Sequence, residues 1–207
     1  MSSDIDNLIC RGSQELFLEY GFKNITVDDI AKRLRMSKKT FYKHFKNKNE
    51  VIKTLAQNFV FKSRLLNKAI INEKTDTVDK LLKIYKSILT LFSVCSPRLI
   101  FEIKKYYDDA NKLLAEYSEN EFHHTVSNLI RQGKEEGLFR NDIDEDTICK
   151  FQINRIKSII EGEILADRPI TDPIYMESII IDLIGITTIK GHKLIVTKAN
   201  EIQNEII

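Results

Sequence analysis

Only three residues, Arg35, Met36 and Ser37, separate two short amphipathic stretches of this chain. The first carries Val27, Ile30, Ala31 and Leu34 on one side. The second opens at Ser37 and turns Phe41 and Phe45 inward, four residues apart, which places them on one helix face. Helices joined by so short a link cannot lie fully antiparallel, so the spacing predicts a helix-turn-helix. With Phe41 and Phe45 inward, Lys38, Lys39, Tyr42 and Lys43 fall on the opposite side.

Local stop and start signals extend this unit in both directions. Asp4 to Tyr20 has helical spacing, with Ile9, Ser13, Leu16, Phe17 and Tyr20 on one face. Gly21 sits where a left-handed residue would end that helix. Thr26 and Asp29 have the spacing of a capping box, and Ile25 and Ile30 that of a hydrophobic staple. A fourth helix is expected from Asn47, with Glu50 completing a second box and Val51, Ile52, Leu55, Ala56 and Phe59 continuing its stripe.

The remainder also reads as helices. Seven glycines and three prolines in 207 residues are too few turn formers for a β-rich fold. Val78, Leu81, Leu82, Tyr85, Ile88, Leu89 and Phe92 form a stripe, and Pro97 can open the next helix. A long helix is expected from about Asp109 to Glu136, closed by Gly137, and another from an Asp144 cap to about Ala166. Pro169 and Pro173 mark a turn before the apolar run Tyr175 to Ile189, and a polar-faced helix follows. The expected fold is all-α, with a helix-turn-helix head over residues 1–47 and a larger helical domain over 48–207. A rigid join through the fourth helix is expected, since no Ser/Gly linker intervenes.

The net charge of +2 conceals an uneven distribution. Lys32, Arg33, Arg35, Lys38, Lys39, Lys43, Lys46 and Lys48 occur within one window that contains no Asp or Glu. Residues 1–50 hold ten basic and seven acidic side chains, so the head is cationic and the rest nearly neutral. Such a patch is a local footprint for an anion.

Other chemistries find less support. Three cysteines, Cys10, Cys95 and Cys149, form no C-x-x-C pair and read as reduced thiols of a cytoplasmic protein. No run reaches 18 apolar residues, so no membrane partner is expected, and the acidic start lacks a signal core. There is no Gly-rich phosphate loop, nucleophile elbow or metal-helix motif. No catalytic residue, metal or cofactor is therefore expected.

A recognition helix needs exposed donors. Lys38 and Lys39 stand at its N-terminal end, from which base edges are commonly contacted. A lysine can donate to the acceptor edge of guanine, and the Thr40 methyl can touch that of thymine. Tyr42, Lys43 and His44 suit phosphates. The helix N-termini at Thr26 and Asn47 could offer N–H groups to phosphates, with Lys48 adding charge at the second.

The run TVDDIAKRLRMSKKTFYKHFKNKNEV, preceded by ELFLEYGFKN, resembles the DNA-binding head of the TetR family of bacterial regulators. Phe17, Gly21, Phe22, Thr26, Val27, Ile30, Ala31, Ser37, Thr40, Tyr42, His44, Phe45, Lys48 and Glu50 carry the resemblance, over about the first quarter of the chain. It implies Thr26, Tyr42, His44 and Lys48 at phosphates, and Lys38, Lys39, Thr40 and Lys43 nearest the bases. One departure is Arg35, where the family has a small residue. A left-handed backbone there would cost about 1 kcal/mol relative to glycine.

The resemblance also implies a cytoplasmic repressor that binds a palindromic double-stranded DNA operator as a homodimer and is released by a small-molecule effector. The dimer is expected through the helices at about Glu145–Ala166 and Pro173–Ile189, using Ile156, Ile159, Ile160, Ile180, Leu183 and Ile184. An effector region is expected near Phe92, Phe101, Tyr106, Tyr107, Phe122, His123 and Phe151. Two rival readings are a helical protein-interaction module with a basic head and an all-helical enzyme.

Overall fold

A computed structural model of the chain describes residues 4–164 and 167–204. Helices dominate it, and extended pairing among the described residues is confined to a single bridge between Phe139 and Thr187. The helices are α1 (Asp4–Tyr20), α2 (Val27–Arg33), α3 (Lys38–His44), α4 (Lys48–Ile71), α5 (Thr77–Phe92), α6 (Pro97–Tyr106), α7 (Asp108–Glu116), α8 (His123–Glu135), α9 (Glu145–Ile160), α10 (Pro173–Gly185) and α11 (Ile189–Asn204).

The expected caps form. Thr26 accepts the Asp29 N–H while the Asp29 carboxylate accepts the Thr26 N–H, a complete capping box at α2. Ser37 caps α3 by accepting the Thr40 N–H, and Asp144 caps α9. At α4, Asn47 accepts the Glu50 N–H, but Glu50 reaches back to the Lys46 N–H rather than to that of Asn47. Gly21 and Gly137 adopt the left-handed conformation, with φ of 84° and 70°. Arg35 does so too, at φ 52°. The Arg35 N–H bonds the Lys32 carbonyl and the Met36 N–H that of Ala31, so the turn closes α2 as a Schellman motif with arginine in the glycine position.

The chain divides into two compact units: residues 1–62 with 94–116, and residues 63–93 with 117–207. This differs from the single cut expected after residue 47. The reason is apolar packing. Leu99 of α6, Tyr107 at the C-terminal end of α6 and Ala110 of α7 enter the same core cluster as Ile9, Phe17, Phe22, Ile30, Phe41, Phe45 and Ile52. Phe22 meets Phe17 at 5.0 Å between ring centroids and Tyr107 at 5.6 Å. Tyr20, expected on the inner face of α1, is exposed, and Cys10 is buried instead.

In the second unit α5 is the central helix, packed against α8, α9, α10 and α11. Val78, Leu81, Leu82, Ile84 and Tyr85 are fully buried, as expected of a helix surrounded by others. The Tyr85 hydroxyl donates to Gln152 of α9, so the one polar atom of that ring is satisfied. The helix expected from Asp109 to Glu136 is broken into α7, a π-helical turn (Tyr117–Phe122) and α8. The helix expected to reach Ala166 ends at Ile160, and Ala166 itself lies outside the described residues. Gly162, at φ 70°, follows that end. Among the described residues no single helix is long and apolar enough to cross a membrane, and no three His, Cys, Asp or Glu side chains group as metal ligands.

Candidate nucleic-acid interface

The sequence folds α3 into two turns with Phe41 wholly buried and the adjoining Phe45 nearly so. Burying these rings fixes the roll of the helix. Lys38, Lys39, Tyr42 and Lys43 are consequently exposed, while Thr40 and His44 are half-buried at its edges. The Tyr42 ring stands edge-on to Phe41 at 5.6 Å, which steadies an aromatic side chain that is otherwise 54% exposed.

Several of these groups already have partners. The Lys38 ammonium lies 2.6 Å from the Asp28 carboxylate of α2, and that contact raises the lysine pKa. His44 Nδ1 lies 2.8 Å from Asp6, tying the last turn of α3 to the first turn of α1 and leaving Nε2 outside that contact. The hydroxyls of Thr40 and Ser37 share a 2.8 Å hydrogen bond. Lys39 and Lys43 project into solvent. These two lysines and Tyr42 therefore form the open part of a cationic face.

Lys48, expected at a phosphate, is engaged elsewhere. Its ammonium donates to the carbonyl oxygens of Phe22 and Ile25, at 2.6 and 2.7 Å. The group is half-buried, and burial pulls its pKa down against the opposing pull of Glu102 and Asp29. A side chain with a four-carbon stem can turn inward or outward from the same helix position, so sequence spacing cannot decide its direction. Thr26 is exposed, but its hydroxyl donates to the Asp29 carboxylate at 2.6 Å. That bond, with the one from the Thr26 backbone, holds the Asp29 carboxyl below its ordinary range. Asp28 and Asp29 thus place two carboxylates at the N-terminus of α2, which opposes a phosphate there. The sequence carries Asp28 in plain view, but its pairing with Lys38 has no local signature.

The seven residues expected around an effector are divided between the two units. Phe101, Tyr106 and Tyr107 belong to the unit that contains the head, and Phe92, Phe122, His123 and Phe151 to the other. Phe101 and Tyr106 are exposed beneath the Lys105 ammonium, 5.3 and 5.4 Å from their ring centroids. Tyr107 is part of the head core. Phe151 is 69% exposed, and His123 faces Asp146 at 3.0 Å. Aromatic residues report apolar area, not the direction in which it is spent. The second unit has a hollow of about 180 Å³ between α5 and the start of α10, lined by Lys86, Leu89, Thr90, Ile170, Pro173 and Met176.

The expected dimer residues also divide. Ile156, Ile159, Ile180 and Leu183 are buried within their own chain, whereas Ile160 and Ile184 are half-buried. The apolar groups that α9 and α10 turn outward are Phe151 and Ile181, at 69% and 67% exposure. Phe151, Ile148, Ile164 and the Arg155–Asp182 ion pair, 2.5 Å apart, border an open groove of about 460 Å³. Both helices are apolar on two sides, and periodicity alone does not say which side faces the chain's own core.

Comparison with known proteins agrees with this geometry. Residues 9–55 match the family model described as bacterial regulatory proteins, tetR family. The chain is 25% identical over 177 residues to the HTH-type transcriptional regulator YvaF of Bacillus subtilis, covering 85% of this chain and 92% of that one. It is 22% identical over 144 residues to the HTH-type transcriptional repressor KstR2 of Mycolicibacterium smegmatis, covering 66% and 68%. Among solved structures, a TetR-family transcriptional regulator from Marinobacter aquaeolei superposes with a TM-score of 0.77 at 17% identity, covering 96% of this chain and 98% of that one. The ketosteroid transcriptional regulator KstR2 of Mycobacterium tuberculosis superposes with a TM-score of 0.62 at 20% identity, covering 91% and 97%. With its capped helix-turn-helix and cationic α3, the head over residues 9–55 matches the tetR family of bacterial regulatory proteins, and the chain as a whole is similar to helix-turn-helix transcriptional regulators.

Proposed function

We propose that this regulator is a repressor that binds a palindromic DNA operator as a homodimer and leaves it when a small molecule binds the second unit. The observation that carries the DNA reading is α3, whose buried Phe41 and Phe45 force Lys39, Tyr42 and Lys43 outward. Lys39 and Thr40 read base edges from the N-terminal half of the helix, and Lys38 joins them once it exchanges Asp28 for DNA. Tyr42, Lys43 and His44, through its Nε2, hold phosphates. Lys48 acts indirectly by fixing the backbone that carries α2.

A palindrome read by twin heads needs a two-fold dimer. The exposed face with Phe151 and Ile181 supports self-association through α9 and α10. Ile184 lies beside Ile181 on α10, and the buried isoleucine and leucine residues of both helices support this face from inside. The effector is a small, largely apolar molecule held in the second unit. The hollow between α5 and α10 is smaller than the 300–1,000 Å³ usual for a ligand site, which suits only a small molecule.

The test is binding of Lys39→Ala and Tyr42→Ala to a DNA fragment selected by the wild type. Both weaken binding. Unchanged affinity in both would remove α3 as the recognition helix.

A further inference from the structure

The corner between α1 and α2 is held by two opposite charges from other helices. From α4, the Lys48 ammonium bonds the carbonyls of Phe22 and Ile25. From α6, the buried Glu102 carboxylate accepts the Lys23 N–H at 3.0 Å and the Arg98 guanidinium at 3.1 Å. The Glu102 charge also acts on the half-buried Lys48, favouring its protonated form. The fit is close. A Cβ on Gly21 would stand 3.0 Å from the Arg98 guanidinium and 3.1 Å from the Glu102 carboxylate. Within the five residues Gly21 to Ile25, a cation and an anion thus both bond the backbone, and the next residue, Thr26, caps α2.

We infer that Glu102 is a positioning residue for DNA binding: it holds the α1–α2 corner, and through it the α2–α3 pair, although it lies on α6 and touches no DNA. The inference rests on the DNA-binding reading. Its physics has a distinctive sign. A carboxylate in a DNA-binding head repels phosphate, so deleting it should strengthen binding if only its field mattered. Deleting it also leaves the Lys23 N–H without its acceptor and Lys48 half-buried without that anion, which loosens the corner. Weakened binding on removal of a negative charge therefore identifies positioning.

The experiment uses the full chain as wild type, Glu102→Gln, Glu102→Ala and Lys39→Ala. It measures affinity for a wild-type-selected DNA fragment across salt concentrations, and hydrogen exchange over residues 21–26. Glu102→Ala should lose about tenfold in affinity, in the ordinary range for coupling between sites. Its salt dependence should match wild type because no phosphate contact is lost. Exchange over residues 21–26 should quicken. Glu102→Gln keeps an acceptor for the Lys23 N–H and should recover part of the loss while staying weaker than wild type. Should the alanine variant not fold, the glutamine variant decides. Affinity equal to or above wild type in the folded variants would overturn the inference, as would unchanged exchange over residues 21–26. Loss in Lys39→Ala without loss in Glu102→Ala overturns the inference alone, whereas a wild type that selects no fragment overturns the DNA-binding reading with it.

Discussion

The Lys38 ammonium lies 2.6 Å from the Asp28 carboxylate, so a base at the start of the recognition helix is paired with an acid of its own head. Both side chains are 59% exposed, and an ion pair in that setting exchanges readily for a stronger partner. On the proposed DNA-binding reading, DNA is that partner: binding breaks the pair and leaves the carboxylate beside the phosphates.

Asp28→Asn should therefore tighten DNA binding by about threefold at moderate salt, through a freed lysine and one fewer negative charge. Fluorescence anisotropy with a labelled operator would read it. The gain should shrink as salt rises. A loss of affinity would mean that Asp28 orients Lys38 productively.

Arg35 makes a separate prediction. Its backbone is left-handed at φ 52°, and its N–H and that of Met36 close the turn of the motif. Relief of strain by glycine is offset in part by the greater freedom of glycine in the unfolded chain. Arg35→Gly should stabilise the protein by about 0.5–1 kcal/mol, and Arg35→Val should destabilise it. Thermal unfolding in the absence of DNA measures both. A lower melting temperature for the glycine variant would show that the arginine side chain contributes more than its backbone costs.

The outward face of α9 and α10 can be tested by charge. Phe151→Glu with Ile181→Glu adds four carboxylates to a two-fold interface, two from each copy, and buries them if the copies still meet. The double variant should sediment as a folded monomer and bind the operator far more weakly than wild type. Ile156→Glu should instead unfold the second unit, because that residue is 4% exposed within its own chain. A double variant that remains dimeric would place the interface elsewhere.

The head is legible in the sequence because its signals are local. Thr26 with Asp29, Ser37 with Thr40, and Phe41 with Phe45 each act within four residues, and together they fix the length and roll of α2 and α3. What escapes the sequence is long-range. Glu102 meets Lys23 across 79 positions and His44 meets Asp6 across 38, with no pattern linking either pair. That same return of α6 and α7 to the head defeats a boundary drawn after residue 47. In the body the difficulty is excess: α9 and α10 carry apolar residues on more than one face. Counting isoleucines finds the helices but not which of them stay on the surface. Lys48 shows the same limit for charge, since its helix position is clear and its direction is not.

The most direct test of the account is selection from a pool of genomic DNA fragments by the purified protein, repeated at several salt concentrations. Enrichment of a palindromic fragment is expected. Its affinity should fall steeply with salt, by a logarithmic slope of about 0.9 for each phosphate neutralised. Equal, weak binding to every fragment would contradict it and leave only a basic surface.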